Sequence, residues 1–183
     1  QEVGEGKSQG VMGQECAGEV VAVGKSVTKL KRGDNVKVDP NNYCGQGESC
    51  RNGKKQLCTH VQAVGVTKNG GFAEYSAVPE AQAFLIHQDI PYQYAAMTEP
   101  LACCLHGIDL AKIKPGNTVL IVGGGAIGLI MLQLAKLAGA GKLILSEPNE
   151  RRRRVAKKLG ADCTVNPPDC DARQQYDAFT GSG

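Results

Sequence analysis

The spacing of apolar residues divides the chain into two regimes. From Gly18 to about Val78 they come in short β-branched runs cut by glycine turns: GEVVAVG, then LKRGDNVKVDP with Arg32-Gly33-Asp34 as its turn, then GGFAEYSAVP. That pattern predicts a compact, mostly β domain. From Pro91 the period lengthens to that of a helix, with Tyr94, Met97, Leu101, Leu105 and Ile108 three or four residues apart. Pro100 interrupts this stripe, which predicts a break or kink there. Lys114-Pro115-Gly116 closes the segment as a turn.

Beyond that turn the pattern is sharper. NTVLIVGGGAIGLIMLQLAKLAGAGKLILSEP reads as a strand from Thr118 to Val122, a glycine loop, a helix with Ile127, Met131, Leu134 and Leu137 on one stripe, and a second strand from Lys142 to Ser146. Gly123, Gly125 and Gly128 fall at the strand-to-helix junction as G-x-G-x-x-G. The first glycine allows the tight turn, the second lets a pyrophosphate approach the backbone, and the third lets helix and strand pack closely. The helix N-terminus offers free N–H groups to the phosphates. Glu147 follows the second strand, where a carboxylate accepts hydrogen bonds from ribose hydroxyls. It favours NAD over NADP, because a 2′-phosphate would meet like charge. The run Arg151 to Arg154 includes side chains able to reach a 2′-phosphate, but it reads first as the solvated face of a helix.

Composition narrows the field. The 183 residues carry a formal charge of +3, too little to suggest a nucleic-acid or membrane partner. No apolar run approaches the ~20 residues of a membrane span, and QEVGEGKSQG has neither the basic nor the apolar segment of a signal peptide. The first residue is Gln, so an incomplete or processed N-terminus is expected. Eight cysteines with no export signal point to a reducing, cytoplasmic compartment. Cys16, Cys103, Cys104, Cys163 and Cys170 read as small buried hydrophobes. Cys44, Cys50 and Cys58 differ, being spaced along one loop like metal ligands.

Taken in order, GQECAGEVVAVG, the loop from Cys44 to Cys58, GGFAEYSAVP, TEPLACCLHG, VLIVGGGAIG and SEPNERRRRVAKKLGAD resemble the medium-chain dehydrogenase/reductase superfamily, in its zinc-dependent alcohol and polyol branch. The resemblance covers about residues 11 to 166 and implies an α/β protein: a partial GroES-like β domain over 1–103 and a partial Rossmann domain, a doubly wound parallel sheet, over 104–183. TEPLA is the feature of sorbitol- and threonine-dehydrogenase-like members and implies Glu99 as a zinc ligand, with Glu15 as an auxiliary carboxylate. The family's cysteine loop holds a structural zinc with four cysteines, and Gly47 stands at the second of them. The implied structural site is therefore Cys44, Cys50 and Cys58 alone, weakened, with Glu48 or His60 as substitute ligands. At the catalytic zinc the family's histidine is replaced by Gln14, a poor ligand, and its first cysteine lies upstream of Gln1, so that zinc is expected to be lost.

The resemblance implies an oxidoreductase that moves hydride between a secondary alcohol and NAD, with Gly123, Gly125, Gly128 and Glu147 holding the cofactor and Glu99 and Glu15 at the catalytic site. The implied partner is a small alcohol or polyol, and the resemblance allows a homo-oligomer. Two alternatives stay open: a zinc-free NAD(P)H reductase of the same superfamily, and a non-catalytic dinucleotide-binding remnant. The chain is expected to lack the family's N-terminal strands and the second half of its Rossmann sheet, which would leave an apolar strand edge open. His106 is expected to be a hydrogen-bonded structural residue.

Overall fold

The computed structural model describes residues 10–167, so Cys170 lies outside the described residues. The chain divides into two compact units between Glu99 and Pro100.

The first unit is built from short strands. β1 (Ala17–Glu19), β2 (Asn35–Val38) and β5 (Ala83–Leu85) form an antiparallel sheet in the order β1-β2-β5, while β3 (Asn41–Asn42) pairs with β4 (Gln62–Ala63). β2 alternates as its sequence does: Val36 and Val38 are buried at 7% exposure each, and Asn35 and Lys37 are only partly covered. Two expected strands come out differently. GEVVAVG is strand only as far as Glu19, although Val20 continues the hairpin by donating to the Asp34 carbonyl at 2.9 Å. GGFAEYSAVP forms no strand, and Phe72 and Tyr75 are exposed. A strand needs a continuous ladder, and among the described residues only Gly70, Gly71 and Phe72 of this segment bond a neighbouring backbone, that of residues 11–13, with irregular register.

The second unit is a parallel sheet in the order β6-β7-β8, built from β6 (Thr118–Val122), β7 (Lys142–Ser146) and β8 (Cys163–Val165). Helix α4 (Ala126–Leu137) links β6 to β7, and α5 (Glu150–Lys158) links β7 to β8. β6 is bonded on one side only among the described residues, with Leu120 and Val122 exposed. Ile121, Leu132, Ala135, Leu143, Leu145 and Ala156 make the core. The α4 stripe therefore differs from the expected one. Leu132 and Ala135 are fully buried, Met131 and Leu134 pack at the margin, and Ile127 and Leu137 are exposed.

Before the sheet come α1 (Glu48–Arg51), α2 (Tyr92–Ala96) and α3 (Thr98–Ala111). The break falls at Met97, not at Pro100, which is the third residue of α3. In a first turn the missing proline N–H removes no intrahelical bond. On α3 the buried side chains are Pro100, Cys104 and Ile108, while Leu101 and Leu105 are exposed. Cys103 is exposed rather than buried as expected, and His106 is exposed.

Candidate functional site

The glycine loop follows directly from β6. Gly123 adopts φ +97 and donates to the Ser146 carbonyl at 2.8 Å, tying the end of β6 to the end of β7. At Gly128, in the first turn of α4, a Cβ would stand 1.9 Å from the Gly123 carbonyl oxygen, so no larger residue fits. Gly125 is the opposite case. Its φ is −73 and a Cβ there would meet nothing within 4 Å, so the space above this turn is open. Open space at a helix N-terminus is what a bound pyrophosphate needs.

Glu147 sits beside this loop, 4% exposed. One carboxylate oxygen accepts from the Asn149 N–H at 2.8 Å and the other from the Gly124 N–H at 2.7 Å. These bonds, helped by the Arg152 guanidinium 3.7 Å away, hold its carboxyl below the usual carboxylate range. The arginine run is not one solvated face. Arg153 is half-buried and donates to the Glu147 and Pro148 carbonyls at 2.8 and 2.6 Å, Arg154 pairs with Glu150, and Arg152 flanks Glu147. Asn149 caps α5 by accepting from the Arg152 N–H.

The second cluster lies in the first unit. Glu99 is half-buried; burial raises its carboxyl pKa, the Glu15 and Asp39 carboxylates raise it further, and Lys37 opposes them. Nothing in the local sequence marks Asp39 and Lys37 as site residues. They belong to β2 and its end, and only folding brings them towards Glu99. Glu15 and Gln14 are exposed. Their segment is fixed by backbone packing: Gly70 donates to the Val11 carbonyl at 2.6 Å, Gly71 to Gly13 at 2.8 Å and Phe72 to Met12 at 2.9 Å. Gly13 has φ +104, and a Cβ there would lie 2.8 Å from the Phe72 nitrogen. Two carboxylates and an amide do not make a zinc site. Among the described residues, no set of three His, Cys, Asp or Glu ligand atoms close enough for a metal includes Glu99.

The third cluster is the cysteine loop. The sulfurs of Cys44, Cys50 and Cys58 all lie within 4.8 Å of one another. The Cys44–Cys50 separation is 3.9 Å and the Cys44–Cys58 separation 3.5 Å. N–H groups of Gly47 and then Gln46, with the Cys58 thiol, lower the Cys44 thiol to about 6, whereas burial raises that of Cys50. Three converging thiols are a donor set suited to zinc. Neither substitute ligand joins them. Glu48 and His60 are exposed and outside the cluster, and the His60 Nδ1 is 3.0 Å from the Thr59 hydroxyl.

A short-stranded β unit followed in the chain by a parallel α/β unit with a dinucleotide-type glycine loop defines a class, the two-domain dehydrogenases. The alcohol dehydrogenase GroES-like domain family matches residues 2–88, and the zinc-binding dehydrogenase family matches residues 126–183. The chain belongs to the zinc-dependent medium-chain dehydrogenase superfamily. It is 37% identical to a sorbitol dehydrogenase of Bacillus subtilis, over 93% of this chain and 48% of the relative. It is 40% identical to an L-threonine 3-dehydrogenase of Pyrococcus furiosus, over 94% of this chain and 50% of the relative. A protein of Sinorhizobium meliloti, described as a zinc-binding dehydrogenase and bound to NADP, superposes with a TM-score of 0.86 at 45% identity, over 90% of this chain and 48% of that one. The chain spans about half the length of the curated relatives it matches. No helix among the described residues is long and apolar enough to cross a membrane.

Proposed function

We propose that the protein takes part in NAD-dependent oxidation of a secondary alcohol or polyol, with residues 118–165 holding the adenosine and pyrophosphate of the cofactor. The observation that carries this is the pairing of the open turn at Gly125 with the ionised, anchored carboxylate of Glu147. Gly123, Gly125 and Gly128 shape the loop, and the first N–H groups of α4 face the phosphates. Glu147 accepts from the ribose hydroxyls. When bound, the dinucleotide supplies the hydride acceptor. Glu99 and Glu15 form the catalytic side of the proposal, with Glu99 able to hold a proton that its neighbouring carboxylates favour. The donors around Glu99 among the described residues do not fit a metal. A reducing, cytoplasmic setting suits the reduced thiols of Cys44, Cys50 and Cys58.

The test is cofactor binding followed by turnover. NADH should bind at least about tenfold tighter than NADPH, and Glu147→Gln should remove most of that preference, about 1.4 kcal/mol per tenfold. Tighter binding of NADPH by the wild-type chain would overturn the NAD assignment and make Arg152 the 2′-phosphate partner. With NAD and a polyol panel, NADH formation that falls on Glu99→Gln supports the catalytic reading. A second reading, a dinucleotide-binding chain without chemistry, is favoured by Gln14 and by the lack, among the described residues, of a metal-binding set that includes Glu99. Binding without turnover would select it. Oxidation of NADPH by an enone would instead select a zinc-free reductase.

A further inference from the structure

The cysteine loop carries an inference independent of the dinucleotide site. A zinc–thiolate bond of about 2.3 Å in a tetrahedron sets the sulfur–sulfur edge at about 3.8 Å. The Cys44–Cys50 and Cys44–Cys58 separations, 3.9 and 3.5 Å, bracket that edge. Cys50 and Cys58 are buried and Cys44 is half-buried, so three vertices are held by the fold. The fourth is where this chain is unusual. Gly47, at the start of α1, has φ −66, a conformation any residue adopts. A Cβ there would have a single neighbour within 4 Å, the Cys44 sulfur at 3.6 Å. The backbone thus sets a side-chain position beside the Cys44 thiol that glycine does not fill. Glu48 and His60, the substitute ligands expected from the sequence, stand outside the cluster.

We propose that the zinc expected in this cysteine loop, held here by the three thiolates of Cys44, Cys50 and Cys58, has a fourth coordination position that opens beside Gly47 and accepts a small external donor: water, imidazole or a small thiol. On binding, the thiols release their protons to solvent and the metal keeps its charge state, so no oxidant or reductant is involved. Arg51, Lys54 and Lys55 on the same loop complement the net negative charge of a zinc with three thiolates.

Cobalt(II) is the probe, added to the reduced, metal-free chain with visible absorption as the readout. The wild-type chain should bind one cobalt, with sulfur-to-metal absorption about three quarters of that in Gly47→Cys, following the count of thiolates. Imidazole should shift the wild-type visible bands and leave those of Gly47→Cys unmoved. Gly47→Cys should bind at least about tenfold tighter, since even supporting partners of metal ligands are worth about 10–100-fold. Cobalt binding by Gly47→Cys but not by wild type would overturn the proposal, as would failure of both proteins to bind. Wild-type bands that ignore imidazole would also overturn it, by showing a closed site. Far-UV circular dichroism of both proteins keeps misfolding apart from lost ligation, and NADH binding by the same samples reports the dinucleotide site separately.

Discussion

The two units keep their shape by different means. The parallel α/β unit has a continuous apolar core, in which Leu132, Ala135 and Leu145 are fully buried between helices and sheet. The β unit buries smaller groups: Val36, Val38, Val64, Ala95 and the thiols of Cys50 and Cys58. Its segments are held by backbone hydrogen bonds, glycine-on-backbone contacts and a cluster of thiols. The first unit therefore depends on backbone geometry, and the second on side-chain volume.

Core truncation should split the units most. Leu132→Ala removes a fully buried side chain and should cost about 3–5 kcal/mol. Val36→Ala should cost about 2 kcal/mol, from the lost methyl groups alone. Urea titration measures both, and equal losses would erase the contrast. The next effect sets two glycines of one loop against each other. Gly128→Ala forces a Cβ against the Gly123 carbonyl and should cost about 3 kcal/mol, the upper range for overpacking. Gly125→Ala meets open space, so it should leave the melting temperature near wild type while lowering NADH affinity about tenfold or more. A large loss of stability in Gly125→Ala would show that the turn is filled by protein and is not a cradle.

Smaller in scale, Gly13→Ala should destabilise the β unit by about 2 kcal/mol, through a left-handed φ and a Cβ against the Phe72 nitrogen. Amide exchange at Gly71 and Phe72 would report it, and unchanged protection there would contradict the backbone-packing account. The smallest effect concerns pH. The Glu147 pKa is depressed in the folded state, so its stabilisation is complete above the ordinary carboxylate pKa and is lost as pH falls through the depressed value. Glu147→Gln should therefore flatten the acid limb of the stability profile below about pH 4.5, relative to wild type. A superposable acid limb would mean that the Gly124 and Asn149 bonds do not distinguish the ionised form.

Much of the second unit was legible because its signals are local. Thr118–Val122 and Lys142–Ser146 are strands with the boundaries read from the sequence, and the glycine loop and its acidic residue lie on one short stretch of chain between and just beyond them. The helix stripes were not legible. α4 is apolar almost all round, so periodicity offered several faces, and packing against the sheet chose Leu132 and Ala135 over Ile127 and Leu137. GGFAEYSAVP had strand composition, but a strand is a property of a pair, and among the described residues only its first three residues bond a neighbouring segment, without forming a regular ladder.

By itself, then, the sequence determined where the chain turns, which glycines are required and which residue types could serve a metal or a cofactor, because bond geometry and side-chain chemistry are written one residue at a time. Only the tertiary structure decided which of those residues meet. It set Asp39 and Lys37 in the field of Glu99, left Glu48 and His60 outside the thiol cluster, and set the unfilled side-chain position of Gly47 beside Cys44. The meeting at Glu99 depends on register and packing across distant segments, which no local spacing encodes.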